Sequence, residues 1–172
     1  LSTSVTEATC DIFLEAAFFA PGAIAGRARS YGIVTEAGHR FERGVDWQGQ
    51  AKAIERATEL LLEVVGGKSG PAIMTMDESK LPQRQAVELR ASRVSRVLGV
   101  DIESDVVDGI FTRLGFDSRV LAPNKEVKEQ IWEVSVPSHR FDIAIEADLI
   151  EEISRVYGYN NLPVRTPKAS LK

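Results

Sequence analysis

The second half of the chain is divided by glycines into short segments with a clear pattern of apolar and polar positions. Apolar residues recur at helical spacing before Gly99, Gly115 and Gly158, and a glycine directly after such a run is a typical helix end. Shorter apolar stretches between the helices predict strands. The predicted elements are a strand at 86–89, helices at Ser92–Leu98 and Ser104–Leu114, strands at Phe116–Leu121 and Ile131–Val136, and a helix at Glu146–Tyr157.

The first half has a less regular pattern. The nearly continuous apolar run at 12–19 predicts a buried strand, although it contains one carboxylate, Glu15. A second strand is predicted at 72–76, and the polar residues 77–82 are the best candidate for a linker between the two halves. The remaining predictions are a helix at 21–31 between Pro21 and Gly32, a loop with some helix at 35–44, and a long helix from an N-cap at Asp46 to Gly66.

These elements predict an α+β protein in two parts. In the second part, short helices, a small antiparallel hairpin and a third helix follow each other in the order of a winged-helix-like domain. Between the hairpin strands, 121–130 is polar and charged, and we expect it to be a surface insertion.

Composition indicates a globular protein and argues against several classes. The 172 residues are 44% hydrophobic and 27% charged, and no apolar run is long enough to cross a membrane or to act as a signal peptide. We therefore expect a cytoplasmic protein. The single cysteine, Cys10, cannot form an internal disulfide or a Cys-rich zinc site. Because the chain starts at Leu1 and not at Met, we expect it to be a piece of a longer one.

Acidic residues are concentrated where the last helix begins. Asp148, Glu151 and Glu152 are spaced i, i+3 and i+4, so their side chains share one helical face, and Asp142 just before the helix could add a fourth carboxylate. Carboxylates gathered in this way could bind a hard cation such as Mg²⁺. The alternative is a solvated helix start, favoured by the helix dipole, in which Arg155 pairs with Glu151 or Glu152. Spacing alone leaves both interpretations open.

Two sets of motifs together resemble one family. Pro137-Ser138-x-Arg140-x-Asp142-Ile143, followed by Glu146-x-Asp148-Leu149-Ile150-Glu151-Glu152-Ile153-x-Arg155-x-Tyr157-Gly158-Tyr159-Asn160-Asn161-Leu162-Pro163, is similar to the B5 domain of bacterial phenylalanyl-tRNA synthetase beta subunits. The segments 13–19, 26–29 and 39–46 are similar to the C-terminal part of the B3/B4 editing domain of the same subunits. The resemblance implies a truncated B3/B4 segment at 1–80, a B5 domain at 81–166 and the start of a linker at 167–172.

The resemblance also implies a function and partners. Members of the family attach phenylalanine to its tRNA with ATP, in assemblies of two alpha and two beta chains. ATP and phenylalanine bind on the alpha subunit, so the resemblance gives this chain no catalytic residue. Asp142, Asp148, Glu151 and Glu152 match the family positions that bind Mg²⁺ at a site shared with the alpha subunit. We expect this site to be weak or empty without that partner.

The editing domain of the family hydrolyses tyrosine that has been attached to the tRNA in error. Glu15 matches the position that accepts a hydrogen bond from the tyrosine hydroxyl, while Thr35 and Ala37 match positions lining the same pocket. A buried carboxylate would be left unpaired by phenylalanine, and this penalty separates the two side chains. Further pocket residues come from parts of the domain outside this chain, so we expect the fragment alone to be inactive.

The main alternatives assign structural or nucleic-acid-binding roles. Glu15 could instead be a buried acid paired with an arginine such as Arg27, Arg29 or Arg40. We interpret His39 as structural and His139 as exposed. A winged-helix-like domain could also bind DNA or serve as an interaction module, because Arg90, Arg93 and Arg96 lie close together. From position 81 onward, however, 13 basic and 14 acidic residues give a net charge of −1, which is not the basic footprint of a nucleic-acid-binding domain.

Overall fold

The structure is a computed structural model that describes residues 4–121 and 129–164. The chain divides into two compact units, Leu1–Pro82 and Gln83–Lys172, and each is described by itself. The charged segment predicted as a surface insertion at 121–130 falls mostly outside the described residues, and so does the linker predicted at 167–172.

The second unit is built on a small antiparallel sheet. Its strands are β1 (Val87–Arg90), β2 (Asp117–Val120) and β3 (Ile131–Ser135), in the spatial order β1-β3-β2. The predicted hairpin of β2 and β3 is confirmed, and β1 completes the sheet on the other side of β3. Trp132 in the central strand lies opposite Leu89 on one side and Val120 on the other, so the middle of the sheet is apolar.

Among the described residues, three α-helices accompany this sheet: α5 (Ala91–Leu98), α6 (Ser104–Leu114) and α7 (Glu146–Tyr157), the last followed by a 3-10 helix at Tyr159–Asn161. Gly99 and Gly115 follow the first two in the left-handed conformation, with φ of 73° and 72°. A side chain there would be strained, which explains why glycine ends both helices. The predicted α6 and α7 are confirmed to the residue, and the α+β fold class is confirmed.

One continuous apolar core holds the second unit together. Helices and sheet contribute fully buried side chains that include Trp132, Phe111, Leu89, Ile110, Leu149 and Ile153. The indole N–H of Trp132 donates to Oδ1 of Asp108 on α6 at 2.7 Å, so the one polar atom of this large core side chain has a hydrogen-bond partner. This core is the scaffold on which the N-terminus of α7 is held.

The described part of the first unit contains four α-helices, α1 (Pro21–Ile24), α2 (Arg27–Ser30), α3 (Glu36–Arg43) and α4 (Gln50–Val65), and a short 3-10 helix at Glu78–Lys80. The single helix predicted at 21–31 is wrong, because Gly26 adopts a left-handed φ of 75° and divides it into α1 and α2. The segment 35–44 is mainly helix and not mainly loop, since Thr35 caps α3 by accepting from the backbone N–H of Gly38 at 3.0 Å.

The long helix α4 ends at Gly66 as predicted, but it begins later than the sequence suggested. Its N-cap is Gly49, and the Asp46 carboxylate accepts instead from the backbone N–H of Gln48 at 3.0 Å. Asp46 therefore stabilises a turn before the helix. An aspartate can bond to its own local backbone in this way, which competes with a role as helix cap.

Both strands predicted in the first unit are wrong. Residues 12–19 and 72–76 are not in a sheet, and no described strand lies beside either of them. A strand obtains its hydrogen bonds from a neighbour, so composition suited to a strand is not sufficient by itself. Phe13 is 91% exposed, which overturns the expectation of burial at 12–19, and Ile73 in the second segment is 87% exposed.

Nothing in the described part of the first unit is fully buried. Its best-defined apolar contact is the edge-to-face pair of Phe19 and Phe41, whose ring centroids are 5.0 Å apart. Among the described residues of both units, no helix is long and apolar enough to span a membrane.

Candidate functional site

The N-terminus of α7 is held by two of its own acidic residues. Oδ2 of Asp148 accepts from the backbone N–H groups of Ala144 at 2.8 Å and Ile145 at 2.9 Å. These bonds satisfy donors that precede the helix, and the negative charge also lies favourably toward the positive end of the helix dipole. Asp148 therefore acts as a capping residue.

Glu146 connects the same helix start to the sheet. Its carboxylate accepts from the backbone N–H of Arg90 at 2.9 Å and from the Arg90 guanidinium at 3.0 and 2.5 Å. Arg90 ends β1 and precedes α5, so this ion pair fixes α7 against the junction of two other elements. The Arg90 guanidinium lowers the pKa of the Glu146 carboxyl below its usual value.

Arg140 lies in the turn that leads from β3 to α7, and its backbone is well anchored. Its carbonyl oxygen accepts from Nη1 of Arg84 at 2.7 Å, and its N–H donates to the carbonyl of Pro137 at 3.0 Å. The guanidinium carbon lies 5.6 Å from the ring centroid of Phe116, which is a cation–π distance. The Arg140 side chain is consequently only 21% exposed.

The Arg140 side chain bridges two of the predicted metal ligands. Nε and Nη2 donate to Oδ1 and Oδ2 of Asp142 at 2.9 and 2.7 Å, while Nη1 donates to Oε2 of Glu152 at 2.9 Å. Arg155 adds a second fork, from Nε to Oε1 of Glu152 at 3.0 Å and from Nη2 to Oε2 at 2.6 Å. Bidentate arginine–carboxylate pairs of this kind are the stronger class of ion pair.

These contacts favour the ionised carboxylates. Hydrogen bonds from Arg155 and then Arg140 lower the pKa of Glu152 to about 2. Hydrogen bonding to Arg140 also lowers the pKa of Asp142 below its usual value. The side chain of Glu152 is only 9% exposed, so both arginines compensate a charge that has largely been withdrawn from water.

The four acidic positions do not meet as a metal site in this chain. Asp142 and Glu152 are bound by arginines, Asp148 caps the helix, and Glu151 is exposed with no described residue paired to its carboxylate. Across 4–121 and 129–164, no three His, Cys, Asp or Glu side chains are grouped so as to hold a metal ion. The donor set as arranged does not fit Mg²⁺, which requires several oxygens around one point.

Sequence reasoning found the acidic residues but missed two of their partners. Arg155 was predicted to pair with Glu151 or Glu152, and the pair with Glu152 is the one formed. Arg140 is 12 residues from Glu152 and Arg90 is 56 residues from Glu146, so no helical spacing reveals either pair. The one available signal was the short sequence Arg140-Phe141-Asp142, which places the two charges two residues apart.

The three predicted pocket residues lie in the first unit. Thr35 and Ala37 are together at the start of α3, where Thr35 is the N-cap and Ala37 is exposed. Glu15 is exposed within residues 12–19, and its carboxylate has no hydrogen-bond or ion-pair partner within the described residues. The structure therefore does not bury Glu15, and it shows no described bond that joins it to the other two.

The alternative pairing of Glu15 with Arg40 is also not found. Arg40 faces Glu36, one turn earlier on α3, at 3.8 Å, with both side chains largely exposed. Glu42 accepts from the backbone N–H of Gly26 at 3.1 Å, which links α3 to the start of α2. The charges of α3 thus support its local packing.

The two units correspond to two known domains. Residues 1–66 match the family model of the B3/4 domain, and residues 87–159 match that of the tRNA synthetase B5 domain. The acidic helix start and its arginines lie within the second match. The fold and the sequence together thus define a segment of a tRNA synthetase that carries a B3/4 and a B5 domain.

Several curated proteins named phenylalanine–tRNA ligase beta subunit are similar over nearly the whole chain. The protein from Pseudoalteromonas translucida is 54% identical over 170 residues, which are 99% of this chain and 20% of that protein. Those from Pseudomonas syringae pv. syringae and Hahella chejuensis are 54% and 53% identical over 98% of this chain and 21% of their own length. The chain belongs to the phenylalanine–tRNA ligase beta-subunit family, and it spans about a fifth of the length of these relatives.

Acid should weaken the second unit through Glu152. Because its pKa is lowered from 4.5 to about 2 in the folded protein, its ion pairs contribute full stability above pH 4.5, and this contribution is lost as the pH falls through 2. We expect Glu152→Gln to cost roughly 2–3 kcal/mol at neutral pH and to flatten the acid decline. Urea unfolding across this pH range, followed by the fluorescence of Trp132 in a Trp47→Phe background, measures both effects.

Glu151→Gln is the matched control for this experiment. It removes a neighbouring carboxylate that is exposed and has no described partner, so both the neutral-pH stability and the acid slope should remain those of the parent. An acid decline in Glu152→Gln as steep as in the parent would show that the arginine contacts do not contribute to stability as described.

Proposed function

We propose that this chain is a functional segment of the beta subunit of a phenylalanine–tRNA ligase, an enzyme that attaches phenylalanine to its tRNA with ATP. The observation that carries the proposal is identity of 54% over 99% of the chain with a protein named as the beta subunit of that enzyme. The proposed partners are the alpha subunit, in an assembly of two alpha and two beta chains, and phenylalanine tRNA. ATP and phenylalanine are assigned to the alpha subunit, and the assembly is assigned to the cytoplasm.

The first unit is proposed to contribute to the removal of misattached tyrosine. The match of residues 1–66 to a B3/4 domain supports this role, together with the positions of Glu15, Thr35 and Ala37 in the family motifs. Discrimination would depend on a carboxylate that pairs with the tyrosine hydroxyl and is left unpaired by phenylalanine. Because Glu15 is exposed in this chain, the proposal requires that other parts of the complete protein cover it.

Mg²⁺ is proposed to bind Asp142, Asp148, Glu151 and Glu152 only in the assembly with the alpha subunit. When bound there, the ion would provide positive charge that joins the two chains. In this chain the four side chains do not converge, so further oxygen donors and a rearrangement of side chains are needed. Asp148 and Glu151 support the proposal, because no arginine among the described residues pairs with either carboxylate.

A separate role of the second unit in binding duplex DNA is less well supported. Of the three clustered arginines, Arg90 is tied to Glu146, which leaves Arg93 and Arg96 on α5. Two arginines on a short helix are a small basic surface for a nucleic acid. A role as an interaction module within the synthetase is compatible with the main proposal.

A chimeric enzyme tests the assignment to the ligase. The 172-residue segment would replace the corresponding fifth of the Pseudoalteromonas translucida beta subunit, expressed with its own alpha subunit. We expect formation of phenylalanyl-tRNA within a few-fold of the unmodified enzyme. A chimera that assembles normally but does not charge the tRNA would contradict the proposal.

The editing role is tested in the same chimera with Ala37→Trp. Ala37 is exposed in this chain, so tryptophan should be tolerated by the fold while it fills the proposed pocket. We expect hydrolysis of tyrosyl-tRNA to fall at least ten-fold and charging with phenylalanine to stay unchanged. Ala53→Trp, on the exposed face of α4, is the control and should leave both rates unchanged. Unaltered hydrolysis in Ala37→Trp would remove this residue from the pocket.

Magnesium in the assembly is tested with Glu151→Gln. This change removes one proposed oxygen ligand without breaking a described contact, so the assembled alpha–beta enzyme should bind Mg²⁺ at least ten-fold more weakly, with its thermal stability in EDTA unchanged. Calorimetric titration with MgCl₂ in the absence of ATP measures the affinity. Equal affinity in the two forms would reject the site.

A further inference from the structure

We propose that Arg140 is a built-in counter-cation at Asp142 and Glu152, so that its ion pairs and the binding of Mg²⁺ to these two carboxylates exclude each other. In the chain by itself, the role that the resemblance gives to a divalent ion at these positions is then filled by an arginine. Magnesium serves here as the competing ion, and the inference does not require that the ligase assembly binds it.

The first support is that the carboxylate oxygens are already used. Both oxygens of Asp142 accept from Arg140, at 2.9 and 2.7 Å. Glu152 accepts from Arg140 and Arg155 at Oε2, at 2.9 and 2.6 Å, and from Arg155 at Oε1, at 3.0 Å. Mg²⁺ requires oxygen ligands at about 2.0–2.1 Å, and it could reach these oxygens only if guanidinium nitrogens moved away.

The second support is charge. Two arginines face two carboxylates, so the cluster of Arg140, Arg155, Asp142 and Glu152 is neutral without any ion. A divalent cation placed between Asp142 and Glu152 would repel the arginine that already bridges them, at a side chain only 21% exposed to water. Magnesium therefore gains little unless Arg140 leaves.

The third support is that Arg140 is fixed by contacts outside the cluster. Arg84 donates to its carbonyl oxygen at 2.7 Å, and the guanidinium lies over Phe116. These contacts hold the backbone and the side chain in the position that reaches both carboxylates. Arg140 is therefore part of the fold of the second unit. Its removal would leave the mostly buried Glu152 with Arg155 as its one described partner.

The experiment compares the response of the second unit to magnesium with and without Arg140. The 172-residue chain carries two tryptophans, and Trp47→Phe leaves the buried Trp132 as the only reporter, in the second unit. The urea midpoint is measured in excess EDTA and in millimolar MgCl₂. We expect the same midpoint in both buffers for the Trp47→Phe parent.

Arg140→Gln should behave differently. It removes both arginine contacts of Asp142 and the Arg140 contact of Glu152, which keeps its fork from Arg155, so the cluster gains a net negative charge and Asp142 gains free oxygens. The midpoint should therefore be lower than that of the parent in EDTA and should rise in MgCl₂. Arg119→Gln is the matched control, because the described hydrogen-bonded ion pair of Arg119 is with Glu133 alone, at 2.5 Å, while the nearby Asp117 acts on Arg119 only through space. Its midpoint should be equal in the two buffers.

Two results would overturn the inference: a midpoint of the parent that rises in MgCl₂, or an Arg140→Gln variant that folds but does not respond to magnesium. If Arg140→Gln does not fold in either buffer, Arg140→Lys gives the decision. Lysine keeps the charge but cannot form the planar fork to both carboxylates. We therefore expect the urea midpoint of Arg140→Lys to be higher in MgCl₂ than in EDTA, and equal midpoints in the two buffers would count against the proposal. Failure of Glu151→Gln to alter magnesium binding in the assembly would remove the metal site there and leave these results standing.

Discussion

The second unit depends on compensation of the negative charge gathered at one helix start. Five acidic residues lie between positions 142 and 152, and like charges on one helical face destabilise it. The four that contact described residues are compensated in three ways: by backbone N–H groups for Asp148, by a fork from Arg90 for Glu146, and by arginine bridges for Asp142 and Glu152. The cluster is therefore a set of fixed contacts that orients α7 on the core.

The two units differ in how far their apolar side chains and charges find partners within the same unit. The second has a closed apolar core and internal partners for its buried charge, so its fold is determined by contacts within the described residues. The first unit has no fully buried residue among those described, and large apolar side chains such as Phe13 and Val34 are almost entirely exposed. Exposed apolar surface of this extent is typical of a region that packs against other protein.

This difference also explains which parts of the fold could be predicted from the sequence. In the second unit, helices end at glycines in left-handed conformations, and each predicted strand has its partner in the same unit, so α6, α7 and the β2–β3 hairpin were predicted well. In the first unit, the patterns at 12–19 and 72–76 suit strands, but pairing requires a neighbour that the described residues do not provide. Local patterns report what a segment prefers, and only tertiary contacts decide whether it forms.

The same limit applies to the candidate site. Helical spacing placed Asp148, Glu151 and Glu152 on one face. The partners of the acidic residues, however, come from elsewhere in the fold, above all Arg140 for Glu152 and Arg90 for Glu146. Glu15 is the converse case, since its apolar surroundings in sequence predicted burial that the described contacts do not produce. Motifs could identify which positions carry charge, but not which cation faces them.

The choice between an arginine and a metal ion as the opposing cation has consequences for assembly. An arginine is covalently attached and already ordered by Arg84 and Phe116, so the helix start is neutralised before any partner or ion arrives. A metal ion is reversible and can take ligands from two chains at once, which suits an interface. With Arg140 in place, the charges of Asp142 and Glu152 are compensated within the second unit, and an ion bound between subunits would have to compensate for the arginine contacts that it replaces. If Mg²⁺ binds in the assembly as proposed, the strength of that binding would depend partly on Arg140, a side chain that is not a ligand.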